Sequence, residues 1–194
     1  GGDVVNASSE ACRMAINGMS YRNRAGQNSN SAVVVTVNKN DFGDSYPLVG
    51  VDFQRELEER TYKLCEGRIP VQRFEDFKNN VESNRFGDIV PQTKGEYSVS
   101  NIRPIFPSEI SHSIEEAVEA FGRKIKCFNN PDTVLSAIET RTSSPVRIIR
   151  DKEGISNIKG IYPCGEGAGY AGGITSAAID GLKISELIAM KYYV

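Results

Sequence analysis

Histidine and clustered cysteine are what this sequence most conspicuously lacks. The 194 residues hold one histidine, His112, and four cysteines, Cys12, Cys65, Cys127 and Cys164, each more than thirty residues from the next. No CxxC pair exists, so the ligand spacing of a structural zinc site is missing and no metal centre is expected. A single histidine limits triad chemistry to whatever His112 can reach. Basic residues (23) nearly balance acidic ones (25), for a net charge of −2. That balance removes the long-range attraction a nucleic-acid or anionic-membrane binder relies on. A basic-then-apolar leader is missing, as is an apolar run of about 18 residues, so neither secretion nor membrane spanning is indicated. Scattered thiols in a chain large enough to build its own core read as reduced cysteines of a cytoplasmic protein.

What is present is a mixed α/β pattern. Residues 31–37 (SAVVVTV) form a β-branched run read as a buried strand, preceded by a long Gly/Asn/Ser-rich loop that carries Arg22 and Arg24. From residue 51 to 65, Phe53, Leu57 and Leu64 recur at helical spacing. Glu56, Glu58, Glu59 and Arg60 on that helix read as a solvated face. Residues 67–108 carry four prolines and little recognisable regularity. Ser113-Ile114-Glu115-Glu116 has the form of a capping box, followed by an apolar face of Ile114, Ala117, Val118, Phe121 and Ile125. His112 just before it reads as a helix-start or surface residue. Strands are expected over 134–140 and 160–164, and a hairpin over 146–159 around the turn Asp151-Lys152-Glu153-Gly154. A helix is expected over 174–193, with Ser176, Asp180, Lys183, Glu186 and Lys191 in one narrow polar stripe and the rest packed on most sides.

The glycine-dense stretch 165–173 is the most informative feature. Gly167, Gly169 and Gly172 match G-x-G-x-x-G between an expected strand and a helix, the arrangement that brings backbone donors to a pyrophosphate at a helix N-terminus. The dinucleotide fingerprint also needs a second strand ending in an acid about 20 residues on. The residues after Gly173 read as one helix instead, so a Rossmann assignment fails. What remains is a side-chain-poor turn feeding the positive end of a helix, with Glu166 as an acceptor suited to sugar hydroxyls. The alternative is a turn whose glycines serve only close packing.

Residues 160–188, GIYPCGEGAGYAGGITSAAIDGLKISELI, closely resemble the closing strand, turn and helix of FAD-dependent oxidoreductases with a two-dinucleotide-binding-type fold. The stretches ETRTSSPVRI (139–148), NGMSYRNRAGQNSNSA (17–32) and VVNASSE (4–10) resemble bacterial uncharacterised FAD-dependent dehydrogenases. The resemblance implies that Gly165 and Glu166 meet the flavin ribitol. It further implies that Ala171, Gly172, Gly173 and Ile174 form the turn and helix start facing the flavin, and that Arg141, Thr142, Ser143 and Ser144 lie near the isoalloxazine ring. Cys164 stands where such proteins more often carry alanine, as a packing residue or as a thiol near flavin. Arg22, Arg24 and Arg141 are candidates for orienting an anionic substrate, against ordinary surface ion pairs.

The resemblance also implies an upstream βαβ unit with the true glycine fingerprint. The expected partner is therefore the missing N-terminal portion of the same protein, with a small-molecule substrate or a nicotinamide nucleotide and no nucleic acid or membrane. The expected architecture is mixed α/β: the closing part of an FAD/NAD(P)-binding domain plus a largely helical cap or substrate subdomain. Residues 1–45 would link the two, 46–131 form the cap, and 132–194 close the FAD domain. The function so implied is that of an oxidoreductase fragment with FAD as cofactor and unassigned catalytic residues. A non-enzymatic binding or assembly module that uses the strand-turn-helix for packing is the alternative.

Overall fold

The computed structural model describes residues 1–192, and Tyr193, the last residue of the helix expected over 174–193, lies outside the described residues. The fold is mixed α/β, in two compact units that interleave along the chain: Gly1–Val37 with Gln54–Thr140, and Asn38–Phe53 with Arg141–Val194. The segments expected from the sequence instead follow one another in order.

The first unit contains every strand found among the described residues. β1 (Asp3–Asn6) pairs antiparallel with β2 (Ile16–Met19) and parallel with β4 (Thr93–Lys94), giving the order β2-β1-β4. β3 (Ile69–Arg73) is the centre of a second three-stranded sheet, parallel to β5 (Tyr97–Val99) and antiparallel to β6 (Val134–Ser136). Its residues 69–72 are all buried. Gln72 is buried at no cost in unmet polarity, because its amide donates to Val81 O (2.6 Å) and its carbonyl accepts the Ile102 N–H (2.9 Å). Met14, Ile16, Cys65, Ile69 and Val71 form the core between these elements, with Val4, Tyr62, Phe86, Val99 and Val134 packed on it. Burial pushes the Cys65 thiol above its ordinary pKa.

α2 (Val49–Cys65) is the amphipathic helix expected from the sequence, but its inner face is Leu57, Glu58, Thr61 and Cys65, while Leu64 is 41% exposed. Two exposed pairs, Glu56–Arg60 (2.5 Å) and Glu59–Lys63 (2.6 Å), form the solvated face. Glu58 departs from it, being buried and accepting the Thr140 hydroxyl (2.5 Å). The proline-rich middle is ordered by β3, β4 and β5, by α3 (Phe74–Lys78) and by a 3-10 turn at Arg103–Ile105. Helices account for more of residues 46–131 than strands do.

α4 (Ser108–Gly122) starts five residues before the expected capping box. Pro107 takes the N-cap position, and Ser113, inside the helix, returns its hydroxyl to Glu109 O (2.8 Å). His112 is exposed, its Nδ1 2.9 Å from Ser108 O. Residues 31–37 form no strand: they pair with no strand among the described residues, and Val34 is 60% exposed. β6 stops at Ser136 rather than reaching residue 140.

The second unit holds α1 (Lys39–Phe42), the first turn of α2 and α5 (Ile174–Tyr192), joined by irregular chain. The expected hairpin is reduced to its turn, with Gly154 N–H on Asp151 O (3.1 Å) and Asp151 N–H on Ile155 O (2.9 Å) but no ladder beyond. Residues 160–164 have no strand partner among the described residues. α5 is less covered than its pattern suggests: among its described residues only Ile184 is buried, while Ile174 is 94%, Leu182 66% and Met190 77% exposed.

Candidate functional site

The glycine-dense turn takes its shape from two residues in the left-handed region. Gly165 has φ 71° and Gly169 φ 81°, values that favour glycine. They close the turn on itself, Gly169 N–H donating to Glu166 O (2.8 Å) and Tyr170 N–H to Gly165 O (3.0 Å). Gly169 also lies against the preceding chain, where a Cβ would sit 2.4 Å from Val146 O. Gly167 and Gly172 differ: a Cβ built on either meets no atom within 4 Å. No close packing requires glycine at either position, and both leave bare backbone at the surface.

Gly173 immediately precedes α5. The Ser176 hydroxyl accepts the Gly173 N–H (3.1 Å) and donates to Gly173 O (3.0 Å), which also receives the Ala177 N–H (2.9 Å). The N–H groups of Ala171, Gly172 and Ile174 take no hydrogen bond among the described residues. Neither does the Glu166 carboxylate, which is half-buried. Free amide donors at the positive end of a helix, an acceptor carboxylate and a surface clear of side chains are the donor set an anionic, sugar-bearing cofactor needs.

One ion pair ties this turn to α5. Arg150 and Asp180 meet in a bidentate contact, Nη2 to Oδ1 at 2.6 Å and Nη1 to Oδ2 at 2.9 Å, with both side chains less than a fifth exposed. Asp180 Oδ2 also accepts the Gly165 N–H (2.9 Å), and Arg150 Nη1 donates to Pro163 O (2.8 Å). The Arg150 guanidinium beside it, and then the Gly165 N–H, hold the Asp180 carboxyl down at about 2. The Tyr170 ring lies 3.6 Å from the Arg150 guanidinium carbon, with Arg147 at 5.0 Å.

Of the residues near the expected isoalloxazine side, Ser144 reaches the turn directly, donating to Gly167 O (3.2 Å). Arg141, Thr142 and Ser143 are exposed in the same loop of the second unit. Arg22 and Arg24 are exposed in the first unit, and Cys164 is an exposed free thiol.

Three features escaped the sequence reading. The first is the Arg150–Asp180 pair, whose members stand 30 positions apart and look like ordinary surface charges. The second is the anchoring of Thr140 in the first unit, its hydroxyl on Glu58 and its carbonyl on Gln54 Nε2 (2.7 Å). The third is Glu139 beside it, whose carboxyl is raised above the ordinary range by burial. An open groove of about 810 Å³ in the first unit, lined by Asp3, Arg68, Gln92, Thr93, Glu96 and Tyr97 among others, contains none of the residues expected to bind a cofactor. No helix among the described residues is long and apolar enough to cross a membrane, and no cluster of metal-ligating side chains occurs among them.

Comparison with known proteins adds two findings. A family described as "FAD-dependent protein, C-terminal domain-like" matches residues 1–142. A protein of Clostridium beijerinckii, named only as an uncharacterized protein, is 44% identical over 195 residues, covering 99% of this chain and 37% of its own length. The chain thus spans little more than a third of that relative.

Proposed function

On the premise that this chain belongs to the FAD-dependent protein, C-terminal domain-like family, we propose that it is the closing part of a larger FAD-dependent oxidoreductase. Bound FAD would supply hydride transfer, to or from a small organic substrate or a nicotinamide nucleotide. This chain's own residues hold and orient. Glu166 accepts from the ribityl hydroxyls, and the free N–H groups of Ala171, Gly172 and Ile174 face the flavin end of the cofactor. Arg141, Thr142, Ser143 and Ser144 line the ring and substrate side. The rest of the polypeptide supplies the other wall and covers the apolar side of α5. The greater length of the relative and the exposure of Ile174 and Leu182 support that arrangement. Four thiols with no disulfide among the described residues accord with a cytoplasmic setting.

The observation that carries this reading is the open backbone at Gly172, whose N–H is one of three unpaired amide donors with those of Ala171 and Ile174. The test is the visible spectrum of the full-length polypeptide and its affinity for FAD. A yellow protein that releases FAD on denaturation is expected. Gly172→Ala should weaken FAD binding at least about tenfold, roughly 1.4 kcal/mol, without moving the melting temperature, since the new methyl touches nothing. Gly169→Ala should instead cost stability, because its methyl meets Val146 O. A folded, colourless polypeptide indifferent to FAD would leave the turn as architecture.

A further inference from the structure

We infer that the Arg150–Asp180 pair is a positioning device that presets the glycine turn for its ligand, an inference that rests on the FAD reading above. The argument is where the contacts fall. Asp180 stands in the second turn of α5 and accepts the N–H of Gly165, the residue that opens the glycine turn (2.9 Å). The arginine that neutralises this carboxylate also fixes the far part of the turn. Its guanidinium lies under the Tyr170 ring at 3.6 Å, and its backbone N–H donates to the Tyr170 hydroxyl (3.2 Å), which itself donates to Ile148 O (3.1 Å). Gly165 and Tyr170 are therefore both secured through one ion pair. A Cβ on Gly167 or Gly172 would meet no atom within 4 Å, and the Glu166 carboxylate has no partner among the described residues.

Such an arrangement removes conformational freedom that a ligand would otherwise have to freeze on binding. It does so without occupying the groups that would touch the ligand. An ion pair serving stability alone would not need one carboxylate oxygen to serve both a guanidinium and the first amide of the turn. Asp180 and Arg150 are positioning residues: they act through Gly165 and Tyr170.

The test uses the full-length polypeptide, with FAD affinity read from flavin fluorescence quenching, stability from thermal melts, and hydrogen exchange at the Gly165 amide. Wild type should bind FAD and protect that amide. Asp180→Ala should expose the amide and weaken FAD about tenfold or more, the worth of a charge-assisted hydrogen bond. Asp180→Asn keeps an oxygen for Gly165 and should retain most of the affinity while melting lower, which covers the case in which the alanine variant does not fold. The decisive variant is the exchange Arg150→Asp with Asp180→Arg. It restores an ion pair and should recover much of the melting temperature, but it sets a cation against the Gly165 N–H, so the FAD defect should persist. Recovery of both by the exchange, or an alanine variant within twofold of wild-type affinity, would overturn the inference and leave the pair as a brace of the fold. Failure of wild type itself to bind FAD would overturn the flavin reading, and this inference with it.

Discussion

Asp180 shows how much a single carboxylate can carry when its partners are fixed. Its ordinary pKa of 3.8 falls to about 2 because Arg150, and after it the Gly165 N–H, favour the ionised form. A carboxyl depressed in the folded state adds stability that is fully present above its unfolded value and is lost as pH falls toward its folded one. The contribution of this pair should hold from neutrality down to about pH 4 and fade between 4 and 2. Thermal melts of wild type and Asp180→Asn across that interval should converge at the acid end; parallel curves would contradict the assignment. Glu139 acts in the opposite sense: burial raises its carboxyl, so its ionisation costs stability as pH rises past its unfolded value. Neither effect was legible in the sequence. Asp180 sits in the polar stripe of a helix pattern, and nothing in its neighbours names Arg150.

At the scale of elements, helices were far more legible than strands. α2 and α5 announce themselves by 3.6-residue periodicity, a local property, and both lie where the pattern sets them. The β pairings join segments distant along the chain. β1 pairs with β4 some ninety residues on, and in β3 the β-branched Ile69 and Val71 are interrupted by Pro70 and followed by Gln72, which blurs the strand signal. The opposite error befell residues 31–37, a β-branched run that pairs with no strand among the described residues. Termini were less legible than helices themselves. The serine of the apparent capping box lies one turn inside α4, bonded back to Glu109. Substituting a true N-cap serine costs about 1 kcal/mol. Ser113→Ala should instead leave the melting temperature unchanged or raise it slightly, because a serine bonded to the preceding turn is no better than alanine in a helix. A loss of that full amount would restore the capping role.

For the whole molecule, mixed α/β class and the presence of a glycine turn at a helix start were readable, but the partition of the chain was not. Composition shifts along a sequence mark consecutive segments, whereas these units are assembled from separated stretches, with 38–53 inserted into a run that otherwise belongs to the first. Removing residues 141–194 leaves every residue of the first unit and its core in place. A polypeptide ending at Thr140 should therefore still melt cooperatively by circular dichroism. Residues 141–194 alone lack α1 and the start of α2 and should show no cooperative transition. If the pattern were reversed, the division into units would be wrong.

The same interleaving has a consequence for biosynthesis. One segment of the second unit, residues 38–53, leaves the ribosome early, while its counterpart emerges only after the long stretch that builds the first unit. At about 5–20 residues per second, those roughly ninety residues take on the order of 5–20 s to appear. Throughout that interval Gly50, whose bare backbone will lie so close to Pro145 that a Cβ would sit 2.9 Å from the proline's own, and the chain around it wait for partners not yet translated. The turn and the helix that follows it emerge later still, so nascent chains of this protein are natural clients for a holding chaperone until both have appeared.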